Sequence, residues 1–314
     1  MRTNKKIGID MDIQNFFKQS MLNKLLGINI AVYLLISIAG ILTYLFGAMG
    51  AAEFYANDYL AMPAAPQRLL FRIWTPITYM FTHFDFWHIL GNMLWLYFMG
   101  LIFLMTFNGK QMFGVYILGG LSGAALYFLS YNIFPVFSQV SALATCVGAS
   151  GAVTAIVIAI CVTQPNMEIR IFGIIPMTLK WLGILYVGYD LFQITGSNAG
   201  GHLAHLGGAI FGAIFALQYR KGTDITNGFN RLIDKIVTLW PLVPSTKTKK
   251  TKMRVVYGNP NAQKSARDMT DAEYNQQKAA KQRRMDEILD KISQSGYESL
   301  TKEEKEFLFK MSGK

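Results

Sequence analysis

The stretch ALATCVGASGAVTAIVIAICVT, residues 142–163, decides the fold class. It carries no charge over 22 residues, which is enough for a helix to cross a bilayer. Its centre places Ser150 among small residues, in the order Gly148-Ala149-Ser150-Gly151. A serine in such a helix either holds two helices together by a hydrogen bond or acts as a nucleophile.

The composition of the chain separates an apolar part from a polar part. The chain has 314 residues, of which 52% are hydrophobic, and a mean hydropathy of +0.27. The long apolar runs lie within residues 25–219, whereas residues 222–314 are largely polar. We therefore predict an N-terminal cytoplasmic segment at 1–24, a membrane domain at 25–220 and a cytoplasmic tail at 221–314.

The apolar runs predict an all-α polytopic membrane protein with six transmembrane helices. The two cysteines, Cys146 and Cys161, fall on the fourth predicted helix, roughly 22 Å apart, which is too far for a disulfide. No Cys/His spacing typical of a metal site is present, and no cofactor is expected. The six predicted spans are 25–47, 86–106, 111–133, 142–163, 177–195 and 201–219.

The distribution of basic residues predicts the orientation. Lys and Arg occur before the first span, after the second and fourth spans, and at Arg220-Lys221, whereas the connections 134–141 and 196–200 have none. By the positive-inside rule both termini are cytoplasmic. The same rule accounts for much of the net charge of +11, so nucleic acid is not expected as a partner.

Unusual polar residues fall at one depth of the predicted membrane domain. His88 and Asn92 lie near the start of the second span, Ser150 about seven residues into the fourth, and His205 about four residues into the sixth. In the predicted orientation all lie within roughly 10 Å of the outer boundary. Because polar residues inside a membrane are costly, a shared depth indicates a shared site.

Ser150 and His205 have the chemistry of a nucleophile and its base. A serine near a helix N-terminus has free backbone N–H groups beside it, which suit an oxyanion. The pattern Gly208-x-x-x-Gly212 favours close packing of the sixth helix against the small residues of the fourth. Within hydrogen-bond reach, His205 would take the serine proton. The alternative is a histidine bonded only to a neighbouring carbonyl group.

His88 and Asn92 are four residues apart and share one face of a helix. Both can donate hydrogen bonds to an oxyanion. Their spacing also resembles a metal pair, but no third ligand stands near, so zinc is not expected. Asp85 precedes them either as a helix cap or as a partner of His88.

These residues, taken in order, resemble the rhomboid intramembrane serine proteases. The matching features are GxSG at 148–151, His205 within AHLGGAIFG, and HxxxN at His88 and Asn92. The resemblance covers about residues 25–220. It implies cleavage of transmembrane proteins by a Ser150–His205 dyad without a third acidic member. His88, Asn92 and the Ser150 N–H would hold the oxyanion.

The resemblance also implies supporting roles and a location. Gly148, Gly151, His83, His202 and Trp74 are expected to support the site, with His202 nearer the surface than His205. The bare six-span core looks like the bacterial form, which implies a bacterial plasma membrane.

The sequence departs from the rhomboid pattern at three positions. Trp74 is followed by Thr75-Pro76 where many members have an arginine, and Arg72 is the nearest substitute. No glutamate occurs in 101–107, so an ion pair that anchors the first loop is expected to be missing. Thr154 stands where some members carry a tyrosine that stacks on the catalytic histidine.

The tail carries no catalytic pattern. Residues 227–240 mix apolar and basic residues and suit the inner membrane interface, and the basic residues of 247–254 suit anionic lipid, although a plain solvated linker fits them equally well. Residues 271–293 predict a polar helix, Gly296 its end, and Thr301-x-x-Glu304 a capping box. A hairpin of this kind suggests a partner-binding or regulatory element.

For the whole protein, the alternative to a protease is a relative that binds or routes membrane proteins without cutting them.

Overall fold

The computed structural model describes residues 20–171, 174–239 and 271–312. The chain is mostly helical and forms two compact units, Met1–Ser245 and Thr246–Lys314. Most of the predicted segment 1–24 and the basic residues of 247–254 lie outside the described residues.

The first unit contains ten α-helices among its described residues. Three short ones fill the first loop between α1 and α5. In chain order the helices are α1 (Met21–Leu45), α2 (Ala51–Leu60), α3 (Pro66–Phe71), α4 (Thr75–Thr78), α5 (Phe86–Thr106), α6 (Gly109–Ile133), α7 (Ser150–Thr163), α8 (Leu179–Phe192), α9 (Ala199–Arg220) and α10 (Asn227–Leu239).

Each of the six predicted spans coincides with a helix, but the helices differ in length. Among the described residues, α1, α5, α6 and α9 are long and apolar enough to cross a bilayer. Helix α7 is apolar but has only 14 residues, and α8 has the same length. The apolar helices indicate an integral membrane protein.

Helix α9 packs between α7 and α6 because glycines remove its side chains at the contacts. A Cβ at Gly208 or Gly212 would collide with the carbonyl oxygen of Gly151 or Ala155. On the other side, a Cβ at Gly207 would lie 2.5 Å from the Ser122 carbonyl oxygen. The predicted close contact between the small faces of α7 and α9 is therefore confirmed.

The predicted start of the fourth span is wrong. Helix α7 begins at Ser150, whereas the preceding residues form a short strand, β2 (Thr145–Cys146). This strand pairs antiparallel with β1 (Met62–Pro63) in the first loop. Because these backbone groups bond to another segment, they do not extend the helix. Cys146 and Cys161 consequently do not share a helix, and both are buried free thiols.

Ion pairs hold the first loop without a Trp-Arg dipeptide. Asp58 accepts hydrogen bonds from Arg68 at 2.7 Å and from both guanidinium nitrogens of Arg72, one of them at 2.9 Å. The Arg72 guanidinium also lies 4.9 Å from the centre of the Tyr59 ring. Trp74 donates its indole N–H to the Tyr59 carbonyl oxygen at 2.8 Å. Arg72 thus supplies the loop with an anchoring charge.

A β-hairpin precedes α8, where the sequence indicated only a connection. Strand β3 (Glu168–Ile171) pairs antiparallel with β4 (Ile175–Thr178). Helix α10 is attached to the first turn of α6. Asn230 donates to the Lys110 carbonyl oxygen at 3.0 Å, and Lys110 pairs with Asp234 at 2.6 Å.

The described part of the second unit holds two helices, α11 (Asp271–Ser295) and α12 (Lys302–Ser312). Gly296 follows α11 at φ +77°, a conformation that favours glycine. The predicted capping box is present: Thr301 Oγ1 accepts from the Glu304 N–H, and the Glu304 carboxylate accepts from the Thr301 N–H at 2.7 Å. Lys291 joins the two helices through Glu304 at 3.0 Å.

Candidate active site

A strained turn leads into Ser150. Gly148 has φ +118°, and a Cβ there would lie 2.7 Å from the His88 ring. Two contacts fix this turn: the Gly148 N–H donates to the Tyr79 carbonyl oxygen at 2.9 Å, and the Ala149 N–H donates to His83 Nε2 at 3.2 Å. The glycine of the GxSG pattern is thus required both by its backbone angle and by the close imidazole.

Ser150 is the first residue of α7 and is half-buried. The backbone N–H groups in the first turn of a helix have no acceptor one turn earlier. The N–H groups of Ser150, Gly151 and Ala152 therefore remain available beside the serine hydroxyl. Their orientation along the start of α7 suits a developing negative charge.

His205 lies in the second turn of α9, whose first turn is capped by Asn198. Asn198 accepts a hydrogen bond from the Gly201 N–H at 3.3 Å. The close packing of α9 against α7 carries His205 to the side of α7 on which Ser150 lies. No hydrogen bond joins Ser150 to His205 within the described residues, and such bonds are often long in a protease without substrate.

Ser150 and His205 line one cavity of about 600 Å³ together with His88 and Asn92. The four residues expected to take part in catalysis or to bind the oxyanion therefore meet at one site. Trp87, Tyr131, Tyr186 and backbone around Gly200 complete much of the wall.

His88 and Asn92 differ in how their donors are used. The Asp85 carboxylate caps α5 by accepting the His88 backbone N–H at 2.8 Å, so of the two roles considered for Asp85 the structure has the cap. The Asn92 amide donates to the His88 carbonyl oxygen at 3.0 Å and to His83 Nε2 at 3.2 Å. The imidazole of His88 makes no such bond among the described residues and lies beside Gly148.

The expected supporting residues fall in different places. His83 is fully buried behind the serine turn, where its Nε2 accepts two hydrogen bonds and its Nδ1 consequently carries the proton. Gly151 gives room for the Ala204 carbonyl oxygen of α9, 3.1 Å from where a Cβ would lie. Trp74 belongs to the first loop and does not line the cavity.

The sequence pattern missed Asp190. This residue of α8 is 3% exposed, and its Oδ1 lies 2.9 Å from His205 Nδ1 and 2.7 Å from His202 Nδ1. The resemblance implied a dyad without a third acidic member, yet α8 packs beside α9 and places its one carboxylate next to both histidines. A lone carboxylate in an apolar helix was the available signal. In the described part of the chain these three side chains are also the group close enough to hold a metal ion.

The rhomboid domain family matches residues 70–222, a segment that contains every residue of the cavity described above. This segment belongs to the rhomboid family. Residues 269–314 match DUF6576, a family of unknown function.

One curated relative of the rhomboid domain is RHOMBOID-like protein 12, mitochondrial, from Arabidopsis thaliana. It is 34% identical over 161 residues, which is 48% of this chain and 48% of the relative. The match thus spans about half the length of that relative. Its name places it in mitochondria, so this relative gives no support to a bacterial plasma membrane.

An aromatic ring borders His205 although the chain lacks the tyrosine that some rhomboid members have four residues after the serine. The position four residues after Ser150 is Thr154, and the ring belongs to Tyr186. Thr154 donates to the Ser150 carbonyl oxygen at 2.7 Å, and its Oγ1 lies 3.1 Å from the Tyr186 hydroxyl. The Tyr186 ring, carried by α8, is centred 6.4 Å from the His205 ring. An aromatic ring therefore borders the histidine, but it comes from another helix.

Proposed function

We propose that this protein is an intramembrane serine endopeptidase that cleaves transmembrane proteins. The observation that carries the proposal is the single cavity lined by Ser150, His205, His88 and Asn92. The rhomboid family, typically composed of serine proteases, supports it.

Acylation follows from the roles of two side chains. His205 Nε2 removes the proton of the Ser150 hydroxyl while Oγ forms a bond to the scissile carbonyl carbon. When the C–N bond breaks, the imidazolium gives this proton to the leaving amine. The products of this step are an acyl ester on Ser150 and the released fragment with a free amino terminus.

Deacylation repeats the sequence with water. His205 takes a proton from a water molecule, whose oxygen attacks the ester carbonyl carbon. The C–Oγ bond then breaks, and the proton returns to Ser150. Because Ser150 and His205 are half-buried and line an open cavity, water has access to them.

The oxyanion of both steps needs preorganised donors. The Ser150 N–H at the start of α7 and the His88 imidazole beside Gly148 are available without rearrangement. The Asn92 amide lines the same cavity but must exchange its bond to the His88 carbonyl oxygen to serve as a third donor.

The membrane setting determines which substrates fit. A transmembrane helix hides its carbonyl groups in its own hydrogen bonds, so a stretch must unwind before attack. We propose that six helices span the membrane, that both termini face the cytoplasmic side, and that the cut falls near the outer end of the substrate span. Gly or Ser in that region would favour cleavage, because Gly loosens the helix and the Ser hydroxyl competes for its hydrogen bonds.

Labelling with a fluorophosphonate tests the nucleophile. The full chain, purified in detergent, should be labelled at Ser150, and Ser150→Ala should abolish both labelling and cleavage of a single-span reporter. His205→Ala should stop cleavage as well. A folded wild-type protein that is neither labelled nor able to cleave any helix-loosened reporter would instead favour the non-proteolytic alternative.

Donor deletion tests the oxyanion site. His88→Ala should lower the turnover rate about a hundred- to a thousandfold, as is typical for loss of one such donor, and helix content should not change. EDTA should have no effect. Inhibition by EDTA that zinc reverses would contradict the assignment of His88 as a hydrogen-bond donor.

A further inference from the structure

One carboxylate oxygen binds two imidazoles in the rhomboid domain. Asp190 Oδ1 lies 2.7 Å from His202 Nδ1 and 2.9 Å from His205 Nδ1. Asp190 is 3% exposed, and its other oxygen has no partner among the described residues. A buried carboxylate is costly unless it accepts hydrogen bonds, so both N–H donors stabilise its charge.

These bonds determine which nitrogen of His205 carries the proton. An ionised carboxylate only accepts hydrogen bonds, so each Nδ1 must be the protonated nitrogen. A neutral His205 then keeps its lone pair on Nε2, which is the atom that a base must present to a serine. Without a partner at Nδ1, an imidazole can adopt either tautomer and rotate.

We propose that Asp190 is a positioning residue for His205, so that Ser150, His205 and Asp190 work as one unit. The inference rests on the proposed function. Asp190 holds the imidazole by the Nδ1–H bond and stabilises the imidazolium that forms when His205 takes the serine proton. A carboxylate–histidine–serine series of this kind is the arrangement that other serine proteases use on unrelated folds.

His202 has a different place in the same network. Its Nδ1–H donates to Asp190 Oδ1, the same oxygen that accepts from His205, and it lies one turn earlier on α9. His202 therefore fixes the position of the Asp190 carboxylate and does not act on Ser150. Removing His202 leaves the His205–Asp190 bond in place. The effect of His202→Ala should therefore be smaller than the effect of a change at Asp190.

Kinetics of Asp190→Asn test the assignment with the full chain and the reporter substrate. The variant keeps the size of the side chain but removes its charge, and its amide can also donate to Nδ1. The kcat should fall by about 10²- to 10⁴-fold with little change in KM. Asp190→Glu should recover part of the loss, His202→Ala should lose less than about tenfold, and the surface control Asp234→Asn should match the wild type.

The tautomer gives a readout that does not depend on activity. The chain has four histidines, so ¹⁵N-labelled imidazoles can be assigned by single substitutions and observed by NMR in detergent. His205 should be protonated at Nδ1 in the wild type and become a mixture of tautomers in Asp190→Asn. The tautomer can be measured even if the protein cleaves no substrate. A failure of the inference can therefore be distinguished from a failure of the proposed protease activity.

Three results would overturn the inference. The first is a wild-type His205 protonated at Nε2. The second is an Asp190→Asn enzyme whose kcat lies within twofold of the wild type. The third is one equivalent of zinc in the purified protein, found by elemental analysis and lost in Asp190→Asn, since the three side chains would then be metal ligands.

Discussion

Gly208 of α9 lies directly against the carbonyl group of Gly151, leaving no room for a side chain between the two helices. This contact brings the helix of His205 against the helix of Ser150. It also explains why the two glycines stand near the two residues expected to react.

Gly208→Ala should therefore weaken the fold and the site together. The added methyl group meets backbone rather than a flexible side chain, so α9 must shift, at a cost of about 1–3 kcal/mol. The free energy of unfolding in mixed micelles and the rate of Ser150 labelling should both fall. Gly188→Ala is the matched control, because a Cβ on that glycine of α8 meets nothing within 4 Å. Equal stability of the two variants would contradict the packing argument.

Gly148→Ala should disable the serine more than it destabilises the protein. The methyl group would be held at φ +118° and 2.7 Å from the His88 ring, so the turn and the imidazole must both move. We expect labelling of Ser150 to slow by about 100-fold, comparable to the loss of one oxyanion donor. Gly222→Ala provides the control: its φ of +84° is also positive, but no neighbour lies within 4 Å. Labelling of Gly148→Ala at the wild-type rate would rule out a role for this turn.

Asp58→Asn should loosen the first loop. It removes the charge that Arg68 and Arg72 share, and these side chains are only 18–25% exposed. The expected loss is about 1–2 kcal/mol, between the values of exposed and buried pairs. Asp234→Asn breaks a pair with Lys110 whose side chains are more than half exposed, and it should cost less than about 0.5 kcal/mol. Thermal unfolding of both variants in one detergent measures the difference; a larger loss for Asp234→Asn would refute the anchoring role.

Glu304→Gln should fray the start of α12 at neutral pH. The Thr301 N–H, followed by Lys291, lowers the pKa of Glu304 below its ordinary value of 4.5. Because the folded pKa is depressed, the stabilisation is present above pH 4.5 and disappears as the pH falls through the lowered pKa. Amide protection factors across residues 302–312 should therefore separate the variant from the wild type at neutral pH and converge once the pH falls below the lowered pKa of Glu304. Glu303→Gln is the control in the same turn, and an equal effect at both positions would contradict the capping box.

The parts of the fold that the sequence predicted correctly rest on local signals. Continuous apolar runs located the long helices, and the repeated glycines of α9 indicated a helix that packs closely. The capping box at Thr301 is likewise a pattern of four consecutive residues. None of these depends on knowing which distant segment is the neighbour.

The errors come from contacts between distant segments. Helix α7 starts eight residues later than its apolar run because Thr145 and Cys146 pair with the first loop, and an apolar run has no feature that reveals such pairing. Arg72 anchors the first loop although it lies two residues before Trp74, since the loop brings Asp58 to it.

Asp190 is a different kind of omission. Its signal was local and strong, because an ionisable side chain in an apolar helix marks a functional site by default. The resemblance to proteases with two catalytic residues left no role for it. Only the packing of α8 beside α9 identifies its partners, since His202 and His205 lie 12 and 15 residues away along the chain.

The pairing of Met62 with Cys146 also bears on the order in which this protein matures. Closing a contact between segments so far apart in sequence costs chain entropy that local helices do not pay, so it forms late in folding. Helices α5 and α6 lie between the two strands and must be inserted before the strands can meet. The turn that presents Ser150 can therefore close only after these two helices are in place.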